Sequence, residues 1–306
     1  MGRRDHRGRP EPEPARSPRR RRRRAVQAAQ RSPLGLRPTD PFGGLVITTF
    51  DHVIVLARDI EECARSFGAA GFAVTTREDE GGHIAEHRLV CFPDGSYLEL
   101  YAFDRDNPDA RSHRWFRYDE LGEGFCDYSV TTTDLQGVVD AAEAAGIPSS
   151  GFAEGGKKRL DGEEWILRMT ALGVGVAGPE LPFVLEDVTP RAVRVSGTAP
   201  HANGATGISS VTIATADPAS AHVGLAMLTG CSDPVRSERA DGAVTSYRFG
   251  AREIRLLVPA AGTDAARRLA EAGPVVYEIE VAGAEAGLLD PASVHAARIV
   301  LSGTTL

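Results

Sequence analysis

An apolar stretch of strand length, Phe50-Asp51-His52-Val53-Ile54-Val55-Leu56, opens the unit that decides the fold of this chain. Asp59 follows at the position of a helix N-cap, and apolar residues then recur at helical spacing until Gly71. Asp94-Gly95 predicts a tight turn between two strands. The segments with the composition of strands are 72–76, 86–93 and 96–103. The unit is therefore predicted to be a strand, a helix and three further strands.

The same order of elements recurs along the rest of the chain, which indicates an internal repeat. A second copy starts at Cys126 with a helix cap at Asp134, and a third starts at Ile208 with a cap at Asp217. A fourth copy starts at Val275 and is predicted to be truncated, because too few residues follow to complete it. The pattern predicts an α+β protein made of βαβββ modules.

Each module on its own leaves one face of its sheet uncovered. A curved sheet with one helix on its outside still exposes a concave face, so two modules are expected to pair and enclose a cleft. We therefore predict four regions along the chain. They are a tail over 1–45, a domain of two modules over 46–190, a polar linker over 191–205, and a second domain over 206–306 with one full and one truncated module.

Charge is distributed unevenly between the tail and the body. The chain has a net charge of −7, yet residues 1–45 hold thirteen arginines against four acidic residues. The acidic body would repel polyphosphate, which argues against nucleic-acid binding by the folded part. The block Arg19–Arg24, with prolines around it, predicts disorder. It is either an electrostatic arm for RNA or anionic lipid, or the product of a mis-set start codon, with translation from Val46 as the alternative.

Other features limit the classes of protein that fit. The four cysteines stand far apart without a C-x-x-C pair, so neither a disulfide framework nor a zinc knuckle is expected. No apolar run approaches the roughly 20 residues of a membrane helix, and we predict a cytoplasmic protein without a membrane partner. The sequence also lacks phosphate-binding glycine motifs and a serine-hydrolase elbow, which argues against a nucleotide cofactor.

Several short motifs in the first two modules follow a characteristic order. They are Asp51-His52-Val53, Tyr97-Leu98-Glu99-Leu100, Arg114-Trp115-Phe116, Thr133-Asp134-Leu135, Asp161-Gly162-Glu163-Glu164-Trp165 and Pro182-Phe183-Val184-Leu185. Together with the module pattern, this set resembles the vicinal oxygen chelate (VOC) superfamily, and within it the glyoxalase-like domain family of bacterial proteins. The resemblance covers residues 48–188. It implies paired βαβββ modules that form curved, partly open mixed β-sheets with helices outside.

The resemblance also implies a metal site. Chelating members of the superfamily hold a divalent ion with a His from the first strand and a Glu from the last strand of a module, and His52 and Glu99 fall on these positions. Imidazole and carboxylate suit Zn, Fe, Mn or Ni and leave room for substrate oxygens. Strand alternation places His52 and Ile54 on one face. The structural alternatives are a buried histidine bonded to a carbonyl group, and a salt bridge of Glu99 with Arg88.

The second module should supply the remaining metal ligands. Counting from the helix caps, Asp127 matches His52, whereas a shift by one residue selects Tyr128. Opposite the Glu99 position lie two apolar residues and Glu186, of which only Glu186 can bind a metal. The resulting cage consists of His52, Glu99, Asp127 and Glu186.

Further side chains are candidates for contact with substrate. His87 suits acid–base chemistry near neutral pH, with a solvated strand residue as the alternative. Arg88 beside it suits an anionic or carbonyl substrate. Trp115 and Trp165 are candidates to line the pocket, with packing in the core as the alternative. The segment Lys157-Lys158-Arg159 follows a pair of glycines and predicts a solvated turn, with attraction of an anionic substrate as the alternative.

Two functional hypotheses follow from these features. The first is a glyoxalase-like enzyme, of the lyase, isomerase or dioxygenase type, that uses a divalent ion to act on a small carbonyl or enediol metabolite. Glu99 and His87 would be its catalytic residues. The alternative is a metal-free protein that binds or sequesters a small molecule in the same cleft. Either protein is compatible with a homodimer.

Overall fold

The computed structural model describes residues 47–77, 79, 84–173, 179–195, 197–283 and 286–303. The predicted disordered tail over 1–45, and the alternative start at Val46, lie outside these residues. Within the described parts of the chain, no helix combines the length and the apolar character that crossing a bilayer requires.

Two modules form the first half of the described chain. The strands are β1 (Thr49–Leu56), β2 (Ala85–Cys91), β3 (Tyr97–Phe103), β4 (Gly124–Thr131), β5 (Ala153–Lys158), β6 (Glu164–Ala171) and β7 (Phe183–Asp187), and the helices are α1 (Ile60–Ala69), α2 (Phe116–Leu121), α3 (Leu135–Ala144) and α4 (Arg191–Arg194). Asp59 and Asp134 cap α1 and α3, and each carboxylate accepts a hydrogen bond from the backbone three residues further on. The caps therefore set the start of the helix in both modules.

The two modules join edge to edge in one mixed sheet with the strand order β2-β3-β1-β4-β7-β6-β5. β1 pairs in parallel with β3 and antiparallel with β4, so the opening strands of both modules lie side by side at the centre of the sheet. The predicted fold class, with paired βαβββ modules in curved mixed sheets, is confirmed. The modules meet through their first strands.

The second half repeats this arrangement. Its strands are β8 (Gly207–Ala214), β9 (Val235–Arg239), β10 (Gly242–Phe249), β11 (Arg252–Pro259), β12 (Val275–Ala282), β13 (Gly287–Leu288) and β14 (Ile299–Ser302), and its helices are α5 (Pro218–Thr229) and α6 (Asp264–Ala272). The sheet has the order β13-β14-β12-β8-β11-β10-β9. Among the described residues after β12, no α-helix precedes β14. The division into domains over 46–190 and 206–306 stays a prediction.

One face of each sheet packs into a common apolar core together with α1, α3 and α5. Val53 and Leu98 from the first sheet and Ile279 from the second belong to this core. The opposite face of the first sheet carries another core that is rich in aromatic side chains, among them Trp115 and Phe183. We call this aromatic side of the first sheet the inner face and the helix-covered side the outer face. The inner face carries the polar side chains described below.

Two predicted elements differ from the observed ones. Residues 72–76, predicted as a strand, contribute a single isolated bridge between Thr75 and Leu89, with one reciprocal pair of backbone hydrogen bonds. Lys157-Lys158 lies in the edge strand β5 instead of a turn. Gly156 permits this pairing, because a Cβ there would lie 2.6 Å from a carbonyl oxygen of β6. The glycine therefore marks a close approach of two strands.

Candidate functional site

A histidine and a glutamate meet on the inner face. β1 and β3 pair so that Ile54 lies beside Glu99, and the alternation of side chains places His52 on the same face. His52 Nε2 lies 3.4 Å from Glu99 Oε2, and the exposed fractions of the two side chains are 6% and 13%. The two residues on the chelating positions of the first module are thus neighbours in a site that is largely shielded from water.

Asp51 and Ser129 orient the His52 ring. Asp51 Oδ1 lies 2.7 Å and Ser129 Oγ lies 2.9 Å from Nδ1 of His52. Because an ionised carboxylate only accepts hydrogen bonds, Nδ1 carries a proton and donates a hydrogen bond to Asp51. The ring also stacks on Tyr97, with 4.7 Å between the centroids. These contacts direct Nε2 towards Glu99.

Asp51 is ionised although it is fully buried. Burial opposes its ionisation, but the charges of Arg194 and Arg191 and a hydrogen bond from His52 hold its pKa well below the ordinary value. Arg194 Nη2 lies 2.8 Å from Oδ2 of Asp51, and Nη1 lies 3.0 Å from Oδ1. Arg194 Nη1 also donates to the hydroxyl group of Tyr97 at 3.0 Å. A buried, charge-paired network therefore lies behind the His52 ring.

The two arginines come from the start of the segment that was predicted as a linker over 191–205. Arg191 and Arg194 form α4 directly after β7, and Val193 packs against the inner-face core. Sequence reasoning missed this part of the site. The available signal was spacing, because the arginines stand four and seven residues after Asp187, with which both form ion pairs. The first residues of the predicted linker therefore belong to the site.

A second polar group surrounds His87. Its Nε2 lies 3.4 Å from Arg77 Nη2 and 3.9 Å from Asp79 Oδ2. Asp79 accepts a hydrogen bond from Trp165 Nε1 at 3.0 Å, and the Arg77 guanidinium lies 4.7 Å from the Trp165 ring centroid. Burial lowers the pKa of His87 below its ordinary value, so its imidazole is neutral at pH 7. Trp165 anchors this group to β6.

Glu99 interacts with residues of both polar groups. Burial opposes its ionisation, but His52 and His87, followed by Arg77, outweigh burial and lower the pKa of Glu99 below its ordinary value. Glu99 is therefore ionised at neutral pH. Since Nδ1 carries the proton of the neutral His52 ring, Nε2 is an acceptor. The space between Nε2 and the Glu99 carboxylate therefore attracts a proton or the donor group of a ligand.

Asp127 lies on the inner face, but its carboxylate is engaged by other side chains. It pairs with Ile54 across β1 and β4. Its carboxylate forms an ion pair with Arg114, and Trp115 Nε1 donates a hydrogen bond to Oδ2 at 2.7 Å. Trp115 is buried and acts as a positioning residue for Asp127. The carboxylate is thus held by Arg114 and Trp115 instead of joining the His52–Glu99 pair.

Glu186 and Arg88 lie on the outer face. Phe183 belongs to the inner-face core, so the alternation along β7 directs Glu186, three residues later, to the other side. Glu186 forms an ion pair with Arg168 there. Arg88 forms an ion pair with Glu61 of α1. The structure therefore does not bring Glu186 into the predicted cage, and it directs Arg88 away from the inner face.

The register of β7 explains why the second module has no carboxylate at the position equivalent to Glu99. Ile54 and Ser129 each stand five residues before a helix cap, so they are equivalent positions of the two modules. Glu99 pairs with Ile54, whereas Phe183 pairs with Ser129. The ring of Phe183 therefore occupies the position equivalent to Glu99, and its centroid lies 5.3 Å from that of the His52 ring.

The donors that the described residues place on the inner face do not fit a divalent ion held by the protein. Among the described residues, no group of three or more His, Cys, Asp or Glu side chains is arranged to hold an ion. His52 and Glu99 offer two donors, and Asp127 is neutralised by Arg114. Catalytic ions are typically held by about three protein ligands. The donor set is thus incomplete.

The fold and its paired modules define a member of the VOC superfamily, as the sequence motifs predicted. Within it, the chain belongs to the glyoxalase-like domain family, whose model matches residues 50–229. The match includes the first sheet, apart from the first residue of β1, and extends through α5. A comparison with curated protein sequences gave no match.

Solved structures share the fold. A hypothetical protein from Staphylococcus aureus is similar with a TM-score of 0.60 at 11% sequence identity, over 83% of this chain and 98% of that chain. A triple mutant of 4-hydroxymandelate synthase from Streptomyces coelicolor is similar with a TM-score of 0.50 at 14% identity, over 77% of this chain and 71% of that chain. At these identities the likeness supports the fold alone.

Proposed function

We propose that this protein is a glyoxalase-like enzyme that transfers protons on a small carbonyl or enediol compound bound at the inner face. The observation that carries the proposal is the His52–Glu99 pair, 3.4 Å apart, with Asp51 behind the imidazole. Burying a carboxylate beside an imidazole is energetically costly, and such arrangements are typical of functional sites. Because the donors do not complete a metal centre, the proposed chemistry uses the protein's own acid–base groups.

Glu99 acts as the general base. Its ionised carboxylate removes a proton from the carbon beside the carbonyl group. His52, in its protonated form, donates Nε2–H to the carbonyl oxygen and stabilises the negative charge of the enediolate that forms. Asp51 stabilises the imidazolium, since it is ionised and accepts a hydrogen bond from Nδ1–H. Return of the proton from Glu99 to carbon completes the cycle.

His87 binds substrate beside this pair in the proposed reaction. It lies on the inner face of β2, opposite Tyr101 of β3, two residues along from Glu99. As a neutral imidazole it can accept or donate a hydrogen bond to a substrate oxygen. The aromatic rings of Trp115 and Phe183 exclude water from the inner face and strengthen these polar interactions.

Exchange of carbon-bound protons with deuterium tests the proposal. The protein in D2O is incubated with a panel of 2-oxo acids, 2-hydroxy ketones and 2-oxo aldehydes, and the protons beside each carbonyl group are followed by NMR. We expect catalysed loss of that signal for at least one class of compound. Glu99→Gln retains the shape of the side chain but removes the base, so the rate should fall by about 100-fold or more.

Glu186→Gln is the matched control. Its side chain is 15% exposed, close to the 13% of Glu99, but it lies on the outer face in an ion pair with Arg168. This variant should exchange protons at the wild-type rate. Equal rates in Glu99→Gln and the wild type, or equal losses in both glutamine variants, would contradict the proposal.

A protein that binds a small molecule without converting it is the second candidate. The engagement of Asp127 by Arg114 and Trp115, and the ring of Phe183 at the fourth ligand position, favour this alternative. It predicts saturable binding of a panel compound with no catalysed exchange. Such a result would overturn the enzymatic proposal and retain the inner face as a binding site.

A further inference from the structure

We propose that Arg114 supplies a fixed positive charge at the inner face, in place of a divalent ion whose second-module ligands are not available, and that it binds a carboxylate or enediolate oxygen of the substrate. The inference deepens the proposed function and rests on it. Arg114 is the first residue of the motif Arg114-Trp115-Phe116. The sequence alone indicates no role for this arginine.

Arg114 contacts both positions at which the second module differs from the first. Asp127 stands at the position equivalent to His52, and Phe183 stands at the position equivalent to Glu99. Arg114 forms an ion pair with Asp127, and its Cζ lies 4.9 Å from the ring centroid of Phe183. The guanidinium therefore lies against the side chains at both second-module positions that are equivalent to the chelating positions of the first module.

The charge of Arg114 is permanent and accessible. A guanidinium remains protonated at every physiological pH and carries five N–H donors in a planar fork. Among the described residues, Asp127 is the one acceptor that Arg114 contacts, and 46% of the Arg114 side chain is exposed. Nearly half of the side chain is thus open to solvent, where an oxygen of a ligand can approach it.

The position of Arg114 defines a class of substrate. Glu99 and Asp127 lie on strands that flank β1, so their Cα atoms are about 10 Å apart at the usual strand spacing. A small molecule can therefore place its reacting carbon at Glu99 and a carboxylate at Arg114. A guanidinium fork matches two carboxylate oxygens. The substrate class is then a small 2-oxo or 2-hydroxy carboxylic acid.

Titration calorimetry with oxalate and pyruvate tests anion binding. Arg114→Gln should weaken binding by about 10- to 100-fold, because it removes a charge-assisted contact. Arg168→Gln is the matched control, since Arg168 is 47% exposed and ion-paired on the outer face, and it should bind like the wild type. Wild-type protein that binds neither anion, or equal affinities in the wild type and Arg114→Gln, would overturn the inference.

Zinc binding gives a second test that needs no substrate. The double variant Arg114→Ala with Phe183→Glu frees Asp127 and adds a carboxylate at the fourth position. Its zinc affinity should exceed that of the wild type by at least about tenfold, and the gain should be lost when His52→Ala is added. Arg114→Ala alone provides a variant without a core substitution and should show part of the gain. A zinc affinity of Arg114→Ala that is no higher than that of the wild type would contradict the view that Arg114 takes the place of the ion.

The two proposals fail in different ways. If proton exchange depends on Glu99 but Arg114→Gln leaves oxalate affinity unchanged, the proposed enzyme activity stands and the proposed anion site is wrong. If oxalate binding depends on Arg114 but no proton exchange is catalysed, the proposed anion site stands and the proposed enzyme activity is wrong. The zinc titration is independent of both measurements.

Discussion

The buried network behind His52 makes a strong prediction about stability. Replacing Arg194, which is 2% exposed, by Leu removes a guanidinium that contacts both carboxylate oxygens of Asp51 at 2.8 and 3.0 Å. The same change removes contacts to Asp187 and to the hydroxyl group of Tyr97. Asp51 then remains fully buried and retains only part of the positive charge that offsets its burial.

The magnitude follows from what remains around Asp51. Breaking a buried ion pair by removing one partner costs about 3–5 kcal/mol, because the other charge is left without compensation. Arg191 and His52 still contact Asp51 in the Arg194→Leu variant, so we expect a loss at the lower end, about 3 kcal/mol. The free energy of unfolding should therefore fall substantially without loss of the fold.

A double-mutant cycle at pH 7 measures this coupling. Urea unfolding is compared for the wild type, Arg194→Leu, Asp51→Asn and the double variant. The double variant should lose less free energy than the sum of the single changes, by about 1–3 kcal/mol, since no uncompensated charge remains. Additive losses, or a loss below about 1 kcal/mol for Arg194→Leu, would refute the view that Asp51 depends on α4 for compensation.

Two other predictions concern pH and backbone geometry. Burial lowers the pKa of His201, whose Nδ1 accepts a hydrogen bond from Ala73 N–H at 2.9 Å. The neutral ring therefore stabilises the folded state above the pKa that His201 has in the unfolded chain, and this stabilisation is lost as the pH falls through the lower pKa of the folded state. In urea unfolding, the free energy of unfolding should be roughly 1 kcal/mol lower at pH 5 than at pH 7, and this difference should be smaller in His201→Gln. Gly242→Ala should destabilise the protein by about 2–3 kcal/mol in thermal unfolding, since φ is +147° and a Cβ would lie 2.1 Å from a carbonyl oxygen. Gly250→Ala, with open space around it, should cost less.

Much of the architecture could be predicted from local signals. The helix caps Asp59 and Asp134 follow apolar strands at the same sequence spacing. This repeat indicates the modules without information on strand pairing. Strand alternation placed His52 and Ile54 on one face, and the structure brings Glu99 to that face through the β1–β3 register. These features depend on residues that are close in sequence or on a simple period.

The rest of the site depends on pairings that a single sequence does not reveal. Among the three residues that the sequence places opposite the Glu99 position, Glu186 alone can bind a metal, but the β4–β7 register puts Phe183 there. Arg191 and Arg194 stand in a polar segment without periodicity, and their role appears only when α4 contacts Asp51. Long-range registers and buried charge pairs are properties of the folded chain, because they join residues far apart in sequence.

Methyl NMR locates the site most directly. Ile54 lies between Glu99 and Asp127 on the inner face, whereas Ile279 lies in the common core within the second sheet. During titration with a compound that undergoes catalysed exchange, the δ1-methyl signal of Ile54 should shift in a saturable manner and that of Ile279 should stay in place. A saturable shift of Ile279 with an unchanged Ile54 signal would contradict an active site at the inner face.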